Sequence, residues 1–575
     1  MQIIKSFFKV LVFICPVTVF AQSTYLNQDD KSIHFIDRME IKQQRNTDLN
    51  FSTLRPFNRK AIMKQAQFLD SARMGFTDAA GVDKFADWKD LNLSEVDEYN
   101  LRSLYMNNSE WFNGASTDDF MAKKPVLKTF YKSKANFFEV NNENFYLAVN
   151  PVLQFNVGKE QDADDALYLN SRGITLRGMI AKKVGFSAYM TENQERGPSY
   201  FKGMVNDLRA VPGMGFYKSF KKQGVDYFDA RGYITFNAAK FIDFQFGYDK
   251  NFIGNGYRSL FLSDWGNSYL FAKINTRIWK LNYQNLFMEL TPQFVKRSGD
   301  LLLPKKYAAM HHLSLNVTKW LNVGLFESVV FGRKDHFDFQ YLNPIIFYRH
   351  IEGTLGSPDN AMAGLDFKAN VAHRLQFYGQ LLLDEFKLKE IKENKGWWAN
   401  KSGFQLGAKY VDAFGVKNLD LQGEINRVRP YTYAHRDSVA DYTHYNQPLA
   451  HPLGANFNEL VGIVRYQPAP KWNIYARAMF YQKGLDSTGY NAGGNIFRDY
   501  TNRFGIDEGY EIAGGKKMTA VNALIQLSYE IRQNLFFDLS FQQRNYKIEG
   551  VQGNTGSSMF IAGVRLNMFK RQYDY

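Results

Sequence analysis

Apolar residues recur at every second position along most of the chain, from about residue 145 to residue 569. In the stretch 145–157, one face carries Phe145, Leu147, Val149, Leu153 and Phe155, and the other carries Asn150, Gln154 and Asn156. Successive side chains of a strand point to opposite faces. The alternation therefore predicts strands with one apolar and one polar face.

Many segments repeat this pattern. The clearest predicted strands are 244–248, 281–290, 313–317, 321–331, 375–383, 404–410, 419–427, 473–481, 521–531, 535–546 and 560–569. A membrane strand needs about 10 residues, and roughly 24 residues per strand and connection give about 18 strands, within a range of about 16 to 20. The links 319–320 and 532–534 are predicted turns, and the polar stretch 486–517 is a predicted outer loop.

The N-terminus has the pattern of a secretion signal. Lys5 and Lys9 precede an apolar run at 10–20, and Ala21 fits a cleavage site. We expect a signal peptide at 1–21, the alternative being an uncleaved anchor. Cys15, the one cysteine, lies inside this run, so the mature chain would contain no disulfide and no thiolate metal site.

The region 22–135 lacks the alternation and is predicted to be partly helical. Apolar residues recur at helical spacing after residue 59, and Ser94 with Asp97 fits a helix capping box. A small helical domain follows from this pattern. It either lies in the periplasm or plugs the barrel, and the barrel itself is expected at 136–575.

Composition agrees with a membrane barrel. Aromatic residues make up 16% of the chain, as the aromatic girdles of such barrels require. The mean hydropathy of −0.39 also fits, because only every second strand residue faces lipid. The net charge of +14 does not indicate nucleic-acid binding, since the chain is predicted to be exported and has no nucleic-acid motif. The fold class is therefore an all-β transmembrane β-barrel in the outer membrane; a secreted β-sandwich or β-helix would be the alternative, but no fixed repeat is visible.

Strand phase predicts which polar residues face the lumen, because lipid cannot solvate charges. Two predicted strands supply the ligand-binding candidates Asp243, Gln245, Asp249, Asp420, Gln422, Glu424 and Asn426. The alternative is a salt-bridged, water-filled interior that only holds the barrel open.

A loop-like region supplies further candidates. Tyr431, Tyr433, His435 and His451 combine aromatic rings, which stack on sugars, with polar groups that bond hydroxyls. A packed extracellular loop explains the same residues. No zinc-binding spacing and no nucleophile motif occurs, so we expect no metal, no cofactor and no enzymatic activity.

Four stretches resemble one family. They are 246–263, 341–360, 381–386 and 429–459. They resemble the Wzi family of capsule-assembly outer-membrane proteins, and most closely its RemB-type branch in gliding Bacteroidota. Arg258 and Glu459 lie in these stretches and join the binding candidates. The resemblance implies a barrel of about 18 strands with a helical part near the periplasmic mouth, a lectin-like hold on surface polysaccharide, and a part in gliding motility.

Three hypotheses follow. The first is a non-enzymatic outer-membrane barrel that binds or organises cell-surface polysaccharide. The second is a structural subunit of a secretion, motility or barrel-insertion machine, and the third is a diffusion channel. The expected partners are outer-membrane lipid and lipopolysaccharide, surface polysaccharide, and other outer-membrane or gliding and secretion-system proteins.

Overall fold

A computed structural model of the chain describes most of its length. The described residues are 23–28, 30–44, 52–74, 91, 93–112, 118–161, 163–294, 302–345, 347–487, 489–503, 505–553, 555–568 and 571–575. The predicted signal peptide at 1–21 lies outside them.

Eighteen long antiparallel strands form one closed barrel, which confirms the predicted class and number. The strands are β1 Phe145–Glu160, β2 Leu167–Ile180, β3 Val184–Arg196, β4 Gly224–Ala239, β5 Ile242–Asp249, β6 Tyr269–Ile278, β7 Leu281–Leu290, β8 Lys306–Asn316, β9 Leu321–Phe331, β10 Asn360–Val371, β11 Leu375–Glu385, β12 Lys401–Tyr410, β13 Leu419–Val428, β14 Phe457–Ala469, β15 Trp472–Leu485, β16 Lys516–Arg532, β17 Leu535–Ile548 and β18 Thr555–Leu566. The barrel closes where β18 pairs with β1, from Leu566 opposite Leu153 to Met559 opposite Glu160.

The predicted strand phase is confirmed. On β13, Ile425 is 46% exposed on the outer wall, while its neighbour Glu424 is 1% exposed in the lumen. On β5, Phe246 is 44% exposed and Gln245 is 1% exposed. An apolar outer wall and a polar interior are what a barrel in lipid requires.

The two ends of the barrel differ. Short turns at 181–183, 240–241, 279–280, 317–320, 372–374, 411–418, 470–471 and 533–534 define the short-turn end. Trp279, Trp320 and Trp472 are exposed there, at the border where aromatic residues are enriched. Long connections define the opposite, long-loop end. Short turns are periplasmic and long loops extracellular in outer-membrane barrels, which orients the molecule.

Among the described residues before the barrel, three α-helices form a helical region. They are α1 Ser32–Gln43, α2 Arg59–Met74 and α3 Glu95–Asn107, and the predicted capping box of Ser94 and Asp97 begins α3. Among the described residues, no helix has the length and apolar character to cross a membrane. Later helices lie in loops: α4 Ser199–Leu208, α5 Tyr348–Thr354 and α6 Leu388–Glu393.

The helical region occupies the short-turn end. Its apolar residues, among them Phe35, Ile36, Met39, Leu101 and Leu104, pack into one buried cluster. Polar contacts join it to the barrel, and Tyr99 Oη donates to Glu530 at 3.0 Å. The region therefore covers the short-turn mouth of the barrel.

Acid should loosen this helical region before the barrel. Burial alone raises the pKa of Asp97, but Arg38 and Lys42, each within 2.8 Å, outweigh burial and lower the pKa to about 2. Because the pKa of Asp97 is lower in the folded than in the unfolded chain, its ionised carboxylate stabilises the fold at any pH above the unfolded-state pKa of about 3.9. This stabilisation is lost as the pH falls towards about 2. We expect a loss of about 2–3 kcal/mol, seen by hydrogen exchange as deprotection of α1 and α3 while the strands stay protected. Asp97→Asn should remove most of this pH dependence; an unchanged profile would contradict the assignment.

Candidate functional site

The lumen is filled partly by the connection between β5 and β6. We call residues 250–268 the inner loop, because it folds into the barrel and Leu260, Phe261 and Leu262 are fully buried. The ring of Phe261 stacks on Phe326 of the wall, with centroids 4.4 Å apart. Gln380 Oε1 accepts the backbone N–H of Leu260 at 2.8 Å. The apolar side chains of this loop are thus buried inside the barrel.

The C-terminal tail, residues 571–575, also lies in the lumen. The last strand, predicted to reach residue 569, ends at Leu566. Arg571 Nε and Tyr573 Oη contact Glu195 of β3 at 3.1 and 2.7 Å. Asp574 pairs with Arg258 of the inner loop at 3.0 Å. The tail therefore ties the inner loop to the wall.

The lumen candidates on β13 bind parts of the protein itself. Glu424 accepts the backbone N–H groups of Tyr257 and Arg258 at 2.7 and 3.1 Å. Asn426 donates to Glu424 at 2.8 Å. Asp420 forms an ion pair with Arg38 and a hydrogen bond with His34, both on α1. The predicted inward direction is correct, and these side chains hold the inner loop and the helical region.

The other members of this set lie nearby. Gln422 accepts from Arg465 at 3.0 Å and donates to Tyr378 at 2.9 Å. On β5, Asp243 pairs with Arg277 at 2.7 Å, and Asp249 accepts the backbone N–H of Lys250 at 2.8 Å. Both amide atoms of Gln245 are buried without a hydrogen-bond partner in the described part of the chain.

Arg258 and Glu459 meet in one buried charge cluster. Glu459 lies 3.7 Å from Arg258 and 2.7 Å from His451, and it accepts from Asn426 at 2.9 Å. Burial lowers the pKa of His451, although the Glu459 carboxylate opposes this shift. The sequence resemblance placed Arg258 and Glu459 among binding residues; the structure brings them together, and Arg258 also pairs with Asp574.

A cavity of about 500 Å³ remains in the lumen. It lies between α1, the C-terminal tail and the wall, and three predicted candidates, Arg258, Asp420 and Gln422, line it. Further polar lining comes from Lys31, Arg231, Arg465, Gln526 and Arg565. The cavity is thus polar on several sides.

The predicted aromatic loop is mostly buried. Tyr431 and Tyr433 are 0% and 1% exposed, and their hydroxyls donate to the carbonyls of Asn491 and Leu260, each at 2.8 Å. His435 is half-buried, and burial lowers its pKa. These side chains close the long-loop end from within, so a ligand there meets other residues first.

Those residues form what we call the outer aromatic surface: Lys387, Trp397, Trp398, Tyr500 and Arg503. The two tryptophans are half-buried in the loop between β11 and β12, and Tyr500 comes from the loop between β15 and β16. Arg503 stacks on Trp398 at 4.3 Å, and the Lys387 ammonium lies 4.4 Å from the Trp397 ring centre.

Buried Tyr431 supports this surface from beneath, with its ring perpendicular to that of Trp398 and the two ring centroids 6.0 Å apart. Sequence reasoning named Tyr431 but missed the surface above it. The available signal was the pair Trp397-Trp398, the one place where two tryptophans are adjacent in the chain. What could not be seen was that a loop about 100 residues away supplies Tyr500 and Arg503.

Together these features define a membrane β-barrel whose lumen is occupied by its own chain and whose outer end carries an aromatic, basic surface. The solved structure of Wzi from Escherichia coli, described as an outer-membrane protein involved in group 1 capsule assembly and a carbohydrate-binding β-barrel, is similar: 12% identity, 96% of this chain, 100% of that chain, TM-score 0.55. At this identity the likeness shows the fold alone.

Two further barrels match less well. OprD from Pseudomonas aeruginosa has 11% identity over 73% of this chain and 94% of its own, with a TM-score of 0.40. OccAB2 from Acinetobacter baumannii has 8% identity over 73% and 97%, also with a TM-score of 0.40. Such scores carry no argument about function. No protein-family model and no curated protein matches the chain.

Proposed function

We propose that this chain is a non-enzymatic outer-membrane barrel that binds cell-surface polysaccharide at its long-loop end. The observation that carries the proposal is the outer aromatic surface, in which half-exposed rings stand beside cations. The apolar faces of sugar rings stack on indole and phenol rings, while guanidinium and ammonium groups pair with carboxylates or phosphates. The surface therefore suits an acidic polysaccharide, whose carboxylates or phosphates would compete with Asp507, 2.8 Å from Arg503, for the guanidinium. The carbohydrate-binding description of the E. coli structure agrees with this class of ligand.

The filled lumen weakens the diffusion-channel hypothesis. The inner loop, the C-terminal tail and the helical region all lie along the path that a solute would take. The lumen candidates therefore act, in our proposal, as supports for the folded interior, and their role as glycan ligands stays a prediction. We retain the proposed units 22–135 and 136–575.

A role in gliding motility, or as a subunit of a larger outer-membrane assembly, is a proposal that rests on the sequence resemblance alone. It predicts a stable complex with other outer-membrane proteins. Export by a cleaved signal peptide stays a prediction in the same way.

Trp398→Ala should weaken binding of purified acidic surface polysaccharide. The substitution removes the ring that Arg503 and Tyr500 contact at 4.3 and 5.0 Å. Truncation of a central tryptophan costs roughly 2 kcal/mol, which is about a 30-fold increase in Kd. Titration calorimetry in detergent would measure it.

Trp472→Ala is the matched control, because Trp472 is 42% exposed at the short-turn end. It should leave the Kd unchanged. Lys387→Gln should weaken binding mainly at low salt, since an exposed charge is screened. Equal binding by the wild type and Trp398→Ala would remove the outer aromatic surface from the site.

A further inference from the structure

Part of the outer wall carries polar residues where lipid is expected. On β8 and β9 the even-numbered residues face the lumen: His312 bonds Asp366 at 2.9 Å, and Phe326 stacks on the inner loop. The odd-numbered residues His311 and Glu327 therefore point outward. Yet they are only 0% and 6% exposed, so something covers them.

The cover is the connection between β9 and β10, whose described residues 332–345 and 347–359 we call the external loop. It folds back over the outer wall instead of standing above the barrel. Its residues Phe337, Tyr341, Tyr348, Ile351 and Leu355 pack against outward-facing Tyr307, Ala309, Val329 and Phe331. This apolar contact is separate from the lumen core.

Two polar contacts fasten the external loop. The Glu327 carboxylate accepts the backbone N–H groups of Phe347 and Arg349 at 2.7 and 3.1 Å. Tyr348 Oη lies 2.6 Å from His311 Nε2, and the two rings stack with centroids 4.1 Å apart. The outward-facing polar side chains of the wall, Glu327 and His311, thus form hydrogen bonds with the external loop.

The position of these contacts places the loop at membrane depth. Strand β9 has 11 residues, close to the roughly 9–11 that cross the hydrocarbon layer. It begins beside exposed Trp320 at the short-turn border, and Glu327 lies just past its middle. An uncovered carboxylate there would face lipid at a cost of several kcal/mol.

The external loop exposes four apolar side chains, and Arg349 and His350 next to them are exposed as well. Phe339, Leu342, Ile345 and Phe347 are 79%, 41%, 63% and 69% exposed. Nearby wall residues Leu325 and Leu365, at 45% and 46%, continue the same apolar surface. Because this surface continues the lipid-facing wall of the barrel, we infer that membrane lipid contacts it.

We propose that the external loop is a lipid-inserted element, whose side chains at 339, 342, 345 and 347 contact the acyl chains of the outer leaflet. Where the external loop covers His311 and Glu327, the loop forms the lipid-facing surface, and the strand residues Leu325 and Leu365 continue it. The surface is independent of the polysaccharide site on the outer loops.

The test uses single cysteines in the full chain with Cys15→Ser, labelled with an environment-sensitive fluorophore. Ile345→Cys and Phe339→Cys are the probes, Leu365→Cys is the wall control, and Thr501→Cys is the aqueous control. The labelled proteins are reconstituted into phosphatidylcholine vesicles with or without brominated acyl chains. Gel mobility before and after heating checks that each barrel is folded.

We expect bromolipid to quench both probes within about twofold of the Leu365 label, and to leave the Thr501 label unquenched. Probes that resemble the Thr501 label would overturn the proposal. Probes that stay unquenched in vesicles but crosslink to a protein in native membranes would also overturn it, and would assign the surface to a protein partner.

A second comparison tests the fastening. Glu327→Ala removes the acceptor of the Phe347 and Arg349 N–H groups, whereas Glu327→Gln keeps a carbonyl oxygen there. The alanine variant should lower bromolipid quenching of the Ile345 label several-fold, and the glutamine variant should restore most of it. Equal quenching in all three would contradict the role given to Glu327.

Discussion

Replacing Arg258 with leucine should lower the free energy of unfolding by about 3–5 kcal/mol, the usual cost of removing one partner of a buried charge cluster. Arg258 pairs with Asp574 at 3.0 Å and donates to its backbone carbonyl at 2.8 Å. Glu459 lies 3.7 Å away. Without the guanidinium, two buried carboxylates lose a cation, although Asp574 keeps Arg477 at 3.6 Å.

Urea unfolding in detergent micelles would measure this change. Arg102→Leu is the matched control, because its pair with Asp119, at 2.9 Å, lies outside the barrel wall and is 49% and 78% exposed. Such an exposed pair contributes at most about 1 kcal/mol. Equal destabilisation by the two variants would contradict the role of Arg258 as the cation that stabilises the buried charge cluster.

The same substitution should release the C-terminal tail. Asp574 lies within the tail, so loss of its cation should raise the fraction of molecules with an open tail. Carboxypeptidase digestion should then proceed at least about tenfold faster than in the wild type, because digestion of a transiently opened segment follows its open population. A tail that stays equally resistant would show that its aromatic contacts hold it.

The strand phase was predictable because lipid imposes it. A residue such as Glu424 must face inward whatever its partner, and the period of two shows that direction locally. Its partners were not predictable. They come from Tyr257 and Arg258 of the inner loop, about 170 residues away, and a local pattern contains no information about such contacts.

The contacts of the external loop were unpredictable for the same reason, because a local pattern does not show which distant segment covers a strand. Glu327 and Phe326 alternate as the pattern requires, but here the polar residue faces outward and the apolar one inward. The rest of β9 follows the pattern, with Leu321, Val323 and Leu325 outward and Asn322 inward. The exception is local: the inner loop brings Phe261 against Phe326, and the external loop covers Glu327.

Replacing Arg38 with leucine should detach α1 from the barrel. Arg38 is 4% exposed and contacts three carboxylates: Asp97 of α3 at 2.8 Å, Asp412 at 2.5 Å, and Asp420 of β13. The substitution leaves these charges close together with less compensation, at a cost of about 3–5 kcal/mol. Native-state hydrogen exchange should show α1 losing protection while the strands of the barrel wall keep theirs.

Arg102→Leu provides the control, because Arg102 lies on α3 and its pair with Asp119 is 49% and 78% exposed. It should leave the protection of α1 unchanged. If α1 also stayed protected in Arg38→Leu, its apolar residues Phe35, Ile36 and Met39 would be sufficient to hold it. The two variants therefore separate a helical region fastened by charge from one fastened by its apolar cluster, and the buried position of Arg38 between three carboxylates favours the first.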